Sequence, residues 1–210
     1  MHVLIVGASR GIGLETARQA LAAGHHVRAL ARSISKMDIS GVRLEKISGD
    51  ALEMEDMEAA TLGVDVVIQT LGVGFGELLG PISIFSKATE ALIRAMKARG
   101  VKRLIAVTGF GAGDSSARII LIERLAFQAV FGRAYDDKTF QERLIRESGL
   151  DWTIARPGVL TSGPRTKRFL VLSEASRWRN GLISRADVAD FLVQQIEGTT
   201  YIGKAPVLVN

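Results

Sequence analysis

The chain has no cysteine, which excludes a disulfide framework, a thiolate nucleophile and a cysteine-ligated metal, and which fits a reducing compartment. Its three histidines, His2, His25 and His26, fall at the starts of predicted strands, the end opposite to where ligands bind, so none is a catalytic candidate. Proline is scarce, with four in 210 residues. No Pro/Ser linker, low-complexity stretch or internal repeat divides the chain, and we expect one domain over residues 1–210. No apolar run reaches the roughly 18 to 20 residues that span a bilayer, and no signal-peptide pattern precedes the first strand; the expectation is a cytoplasmic chain with no membrane partner. Aromatic residues are 6% of the chain, and the basic residues are spread out with no Lys/Arg block interleaved with aromatics, so a nucleic-acid partner is not expected. What the chain does have is 47% hydrophobic residues and a net charge of +5. The first is ample material for a core, and the second biases the surface toward anions such as phosphorylated cofactors.

From Val3 to about Val107, short apolar runs alternate with helical stretches, which is a βαβ rhythm. The strand candidates are Val3 to Val6, Val27 to Leu30, Val42 to Ile47, Val64 to Gln69, Leu104 to Val107, Trp152 to Ala155 and Val207 to Val209. Runs without polar alternation suit strands buried on both faces, as in a parallel sheet covered by helices. Leu14, Ala17, Leu21 and Ala22 recur at helical spacing and Gly24 closes their helix; Ile84, Ala88, Leu92, Ala95 and Met96 do the same before Gly100. Two longer helices are expected over about 116–131 and 136–147, and a last one over about 185–195. Right-handed crossovers turn this order into an α/β, doubly wound parallel sheet, with ligand sites outside the carboxyl ends of the strands.

The first of those ends is the most informative. Gly7-Ala8-Ser9-Arg10-Gly11-Ile12-Gly13 joins an apolar strand to an amphipathic helix, the context in which a glycine-rich turn cradles a dinucleotide. Gly7 turns the chain, Gly11 lets backbone approach a pyrophosphate, and Gly13 lets the helix pack close to the sheet. The helix start adds unpaired N–H groups and the positive end of its dipole. At the end of the second strand an acidic residue would bind the adenosine ribose 2′-hydroxyl, and this chain has Arg32 beside Ser33 instead. A guanidinium there suits a 2′-phosphate, favouring NADP(H) over NAD(H), and Arg10 can reach the same phosphate; the plainer alternative is a solvated arginine. After the third strand, Asp50-Ala51 places a carboxylate that can accept from the adenine amino group. It also reads as a helix N-cap, with Glu53 and Asp56 in the first turn.

These stretches, with Thr70-Leu71-Gly72 and above all Asp137-Lys138-x-x-x-Glu142-x-x-x-Arg146-Glu147-Ser148-Gly149-Leu150-Asp151-Trp152-Thr153-Ile154-x-Arg156-Pro157-Gly158, resemble the atypical short-chain dehydrogenase/reductase superfamily. Within it the likeness is to NAD(P)H-binding proteins of the NmrA-like and biliverdin reductase B/flavin reductase-like kind. The ending Ile183-Ser184-Arg185-Ala186-Asp187-Val188-Ala189 fits that group too. The resemblance implies a Rossmann fold whose cofactor is held by Gly7, Ser9, Arg10, Gly11, Ile12, Gly13, Arg32, Asp50, Ala51, Leu71, Gly72, Lys138, Pro157, Gly158 and Val159. The backbone of Pro157 to Val159 would run along the nicotinamide amide. Lys138 matches the lysine that binds the nicotinamide ribose; its bland alternative is an exposed pair with Glu142. The tyrosine expected four residues earlier is Ala134, and Tyr135 is one residue late, a rotation of about 100° around a helix. Thr108 stands where a serine is usual. It either hydrogen-bonds a substrate carbonyl or caps the turn from Gly109 to Asp114. The histidine that biliverdin reductase B-like proteins carry after the sixth strand is Val159 here. Thr108, Tyr135 and Lys138 are thus the catalytic candidates, and Arg156 is expected to pair with a carboxylate.

The substrate side is expected in the loops at about 73–82, 109–135 and 159–184. The stretch from Ile119 to Phe131 is apolar on nearly all faces, which suits core and pocket wall with a subunit interface behind, in a monomer or homodimer. The basic segment from Arg165 to Arg179 reads as a lid for an anionic planar substrate or as a solvated loop. Two functions fit. One is an NADPH-dependent reductase acting on a flavin or quinone, which needs little acid catalysis; the other is a noncatalytic NADP(H) sensor of the NmrA type. An epimerase-like reading would need an acid/base pair that the sequence does not supply. The cofactor argument predicts that the protein binds NADPH at least about tenfold more tightly than NADH and that Arg32→Ala removes the difference. Titration of both nucleotides by calorimetry checks this.

Overall fold

The computed structural model describes the backbone of residues 1–72, 83–118 and 121–210, and the side chains of these residues other than 117–133. The central sheet has eight strands: β1 (His2–Val6), β2 (His26–Ala31), β3 (Leu44–Ser48), β4 (Val66–Gln69), β5 (Arg103–Val107), β6 (Asp151–Pro157), β8 (Leu170–Leu172) and β10 (Val207–Val209). Their order is β3-β2-β1-β4-β5-β6-β10-β8, and β7 (Val159–Thr161) pairs separately with β9 (Leu182–Ser184). The first six strands and β10 run parallel, in a register that sets Val3 beside Val27 and Val66, and Ile105 beside Thr153. Only β8, at the edge, is antiparallel.

Five helices cover the sheet: α1 (Gly11–Ala22), α2 (Met54–Ala60), α3 (Ile84–Arg99), α4 (Leu121–Glu147) and α5 (Arg185–Gln194). Successive strand residues point to opposite faces, so each apolar run feeds two cores. Val3, Ile5, Val27, Ala29, Ile68 and Ile105 pack with Ala17 and Ala20 of α1 and Val188, Phe191 and Leu192 of α5. Leu4, Val6, Leu30, Val67, Leu104 and Ile154 pack with Met57 of α2, Leu92 and Met96 of α3 and Ile145 of α4. Each fully buried Leu or Ile contributes about 1.5–3 kcal/mol, which is why the runs carry no polar alternation. The strand order reverses between β1 and β4, the kind of switch point beside whose carboxyl ends doubly wound sheets bind ligands. Among the described residues no helix is long and apolar enough to cross a membrane.

Several expectations change. The sheet is mixed, because β8 adds antiparallel to β10. The two helices expected over 116–131 and 136–147 are one, α4, preceded by a short 3-10 turn at Gly113–Arg118. Only Gly132 weakens the helical pattern between them and no proline interrupts it, a cost of about 1 kcal/mol that a long helix absorbs. The third strand starts at Leu44, leaving Val42 fully exposed. Asp50 does not cap α2: Glu53 is the N-cap residue, and Asp50 Oδ1 accepts from Leu52 N at 3.0 Å in a local turn. The expected stop of α3 is observed at Gly100, in the left-handed conformation.

The fit of α1 against β1 is tightest at Gly13. A Cβ added there would overlap the Gly7 carbonyl oxygen and lie 2.6 Å from Thr70 Oγ1. Gly13→Ala is therefore expected to cost about 1–3 kcal/mol of stability, read as a lower urea midpoint with an unchanged slope.

Candidate functional site

The carboxyl ends of the parallel strands are stitched into one edge. Gly7 N and Ala8 N donate to Leu30 O at 2.9 and 3.2 Å, and Thr70 N donates to Val6 O at 2.9 Å. Thr70 Oγ1 also donates to Val6 O, at 3.0 Å. Gly7 has φ +88°, and a Cβ on it would press within 3.1 Å of the Thr70 carbonyl. Among the described residues Gly11, at φ +58°, is bordered on its Cβ side only by the Arg185 side chain, at 3.9 Å. Arg10, at the N-cap of α1, makes no side-chain capping bond, and the first turn holds no acidic residue. The first N–H groups of α1 thus point outward over an open glycine, an arrangement that fits a phosphate. Ser9 and Ile12 are half-buried here, and Arg10 is exposed.

Arg32 is exposed at the end of β2, next to Ser33, which opens a 3-10 turn over Ile34–Lys36. Ala51 is buried and Leu71 packs against the same core as α2 and α3. Gly72 has open space on its Cβ side.

The other half of the edge is organised by α4. Lys138 Nζ donates to Thr108 O at 2.9 Å and lies 4.2 Å from the centre of the Phe85 ring. Burial pushes the Lys138 ammonium down to about 8, against the pull of the Glu142 and Asp137 carboxylates. Tyr135, three residues earlier on the same face, sets its hydroxyl over Gly109, where an added Cβ would lie 2.8 Å from the phenol oxygen. Burial pushes this phenol up to about 12. The exposed Lys138–Glu142 pair is not what forms. Glu142 is buried, accepting from Arg156 Nε at Oε1 (2.9 Å) and from Arg156 Nη2 at Oε2 (2.5 Å). Thr108 Oγ1 donates to Glu142 Oε1 at 2.8 Å. Its proton is therefore committed to a carboxylate rather than to the Gly109–Asp114 turn. Arg156 is 0% exposed, pairs with Asp114 as well as Glu142, and stacks 4.9 Å from the Trp178 ring. The carboxylate pairing expected for Arg156 is observed.

Sequence reasoning missed two supports of this half. Asp137 accepts from the N–H groups of Phe85 (2.9 Å) and Ser86 (3.3 Å) and from the Ser86 hydroxyl, capping α3 from a different helix. Gln69 Oε1 accepts from Thr89 (3.0 Å) and Gln141 (3.1 Å), tying the end of β4 to α3 and α4. Neither leaves a local signal, because the partners are 50 or more residues apart for Asp137 and come from three elements for Gln69.

Beyond β6, the N–H groups of Gly158 and Val159 are used by Leu208 O (3.0 Å) and Gly181 O (2.8 Å), while the Val159 side chain is exposed. The basic segment 165–179 contains β8 and a 3-10 turn over Ala175–Arg177, so it is more structured than a solvated loop. Its start is tied to α5. Arg165 pairs with Asp190, and Asp187 accepts from Thr166 N (2.7 Å), Thr166 Oγ1 (2.8 Å) and Lys167 N (2.9 Å). Burial raises the Asp187 carboxyl, and these bonds with that from Ser184 outweigh it, holding the group below its ordinary value. The expected loop at 73–82 and the apolar face of 119–131 lie outside the described residues and side chains. The three histidines sit at the amino edge: His2 and His26 stack at 4.7 Å on the wall of a cavity of about 240 Å³ that Arg28 and Arg43 also line. Burial lowers the His25 pKa. Truncating the central carboxylate with Glu142→Ala leaves the Arg156 charge buried beside Asp114 alone, and a loss of about 3–5 kcal/mol is expected in denaturant titrations.

The chain is similar to several known proteins. The anaerobillin reductase ChuY from Escherichia coli O157:H7 is 27% identical, with a TM-score of 0.82 over 100% of this chain and 97% of that one. An NAD(P)H azoreductase of Xenophilus azovorans is 28% identical over 211 residues, 96% of this chain but 64% of the relative's length. A Bacillus subtilis protein, YhfK, described as an uncharacterized sugar epimerase, is 28% identical over 94% of this chain and 88% of its own length. The model of the NAD(P)H-binding family matches residues 7–199, a span that runs from the glycine turn past α5 and takes in both halves of the carboxyl edge. With that match, the chain belongs to the NAD(P)H-binding family.

Proposed function

We propose that the protein is an NADPH-dependent reductase of the atypical short-chain type, acting on a small planar acceptor such as a flavin or quinone. The observation that carries this reading is the delivery of Lys138 and Tyr135, from one face of α4, to the end of β5 on the sheet edge that bears the glycine turn. The cofactor, when bound, supplies a hydride. Gly7, Gly11, Gly13 and the first N–H groups of α1 hold its phosphates, with Ser9 and Ile12 beside them, and Arg32, with Arg10, takes the 2′-phosphate. Asp50, Ala51, Leu71 and Gly72 line the adenosine side, and Pro157 to Val159 the nicotinamide side. The anaerobillin reductase and the azoreductase among the relatives support a reductase.

Lys138 holds the nicotinamide ribose with its ammonium, which Thr108 O and the Phe85 ring orient. Thr108 acts through its carbonyl and through Glu142, and is a positioning residue. A Tyr135 phenol at about 12 is a weak proton donor near neutrality, far from the pKa match that general acid catalysis favours. That suits an acceptor whose reduced form takes its proton from water. The same observation favours a second reading, a noncatalytic NADP(H) sensor.

The two separate on a panel of FMN, riboflavin and small quinones, followed by NADPH absorbance. The reductase reading expects turnover that falls about 10- to 100-fold in Lys138→Met, through lost positioning, and less than about tenfold in Tyr135→Phe. Since the Lys138 ammonium is charged below about 8, kcat/KM should fall as pH rises through that value, and Lys138→Met should lose the inflection. Tight NADPH binding with no turnover across the panel supports the sensor.

A further inference from the structure

The carboxyl edge carries one more cation than the cofactor reading uses. Arg185 is the first residue of α5, and its Cδ and Nε lie 3.9 Å from the Cβ position of Gly11. Its course is fixed from behind. Ser184 caps α5 by accepting from Asp187 N at 2.9 Å, and Gln19 Nε2 donates to Ala186 O at 2.8 Å, clamping the first turn of α5 to α1. The Arg185 side chain reaches the start of α1 at Gly11, and its Nη1 donates to Ser162 Oγ at 3.4 Å.

No carboxylate among the described residues pairs with this guanidinium. The acids of α1 and α5 are engaged elsewhere: Glu15 with Arg18 at 3.8 Å, Asp187 with Thr166, Lys167 and Ser184, and Asp190 with Arg165 and Gln194. Arg185 therefore sits unneutralised at the positive end of the α1 dipole, where a cation is disfavoured unless an anion shares the place. Arg10, the N-cap residue of α1, adds to the same field.

We propose that Arg185 is a clasp for the dinucleotide pyrophosphate, closing from α5 over the open Cβ side of Gly11. The proposal rests on the cofactor reading above and extends it to an element on the far side of the chain. Its chemistry differs from that assigned to Arg32. A pyrophosphate is common to NADPH and NADH, so Arg185 contributes equally to both, whereas a 2′-phosphate exists only in NADPH. A planar guanidinium can bridge two phosphoryl oxygens, which an ammonium cannot.

The test is calorimetric titration of NADPH and NADH into the wild type, Arg185→Ala, Arg185→Lys, Arg32→Ala and the surface control Arg99→Ala. Thermal melts verify folding, and Arg185→Gln replaces the alanine variant if that one melts early. The expected result is a loss of roughly tenfold or more for both nucleotides in Arg185→Ala, partial recovery in Arg185→Lys, and no change in Arg99→Ala. Wild-type protein that binds neither nucleotide overturns the cofactor reading and this inference with it. Wild-type binding that Arg185→Ala leaves intact overturns the clasp alone. A loss confined to NADPH also overturns it, since Arg185 would then read the 2′-phosphate.

Discussion

Glu142 and Arg156 meet inside the protein, α4 against β6, and the geometry of the Lys138 and Tyr135 half of the edge follows from that contact. A fully buried guanidinium is tolerable when its charge is matched inside the protein. Glu142 matches it through two parallel hydrogen bonds from Nε and Nη2, while Nη1 has no partner among the described residues. Such a pair adds little net stability over an apolar substitute, but it admits one relative orientation of its two elements. With Glu142 turned toward β6, Lys138 one turn earlier is turned toward β5, and Tyr135 three residues before that lies on the same stripe. Thr108 receives both ends of the arrangement, its hydroxyl bonding Glu142 and its carbonyl accepting from Lys138.

The cofactor half depends on a different constraint, the close approach of α1 to the sheet. Gly13 leaves no room for a side chain, so the helix start is pressed against the turn at Gly7 and against Thr70 at the end of β4. Positive potential gathers there from the helix dipole, Arg10 and Arg185, with no acid in the first turn of α1 to offset it. The start of the basic segment 165–179 is fastened to this half. Asp187 and Asp190 of α5 hold residues 165–167, while Trp178 reaches across to Arg156. The segment thus spans the two halves, with α5 as its anchor.

Much of the fold was readable from local pattern. Seven of the strands and the glycine turn came from apolar runs and glycine positions, because strands buried on both faces leave an unbroken signal. Strands β7, β8 and β9 did not, since three residues carry too little pattern and pair only where the rest of the sheet offers an edge. At the site, Tyr135 shows the limit most clearly. Counted from the family's spacing it is rotated off position, yet in a continuous helix it lies only about 60° from Lys138 and Ala134 about 40° to the other side. Both face the edge, and the phenol still reaches Gly109. Glu142 was read as a partner of Lys138 because they are one turn apart, and the buried arginine from another element outcompeted that local pairing.

Residue type and spacing along the chain were sufficient for seven of the strands, the doubly wound α/β class and the glycine turn at Gly7 to Gly13, because these rest on backbone sterics and on periodic burial, both properties of short segments. Only the tertiary structure settled which charges meet. Glu142 with Arg156, Asp137 with the start of α3 and Arg185 with Gly11 join residues distant in sequence. Electrostatic partners are chosen by proximity and burial after the helices have packed, and no local pattern records that choice.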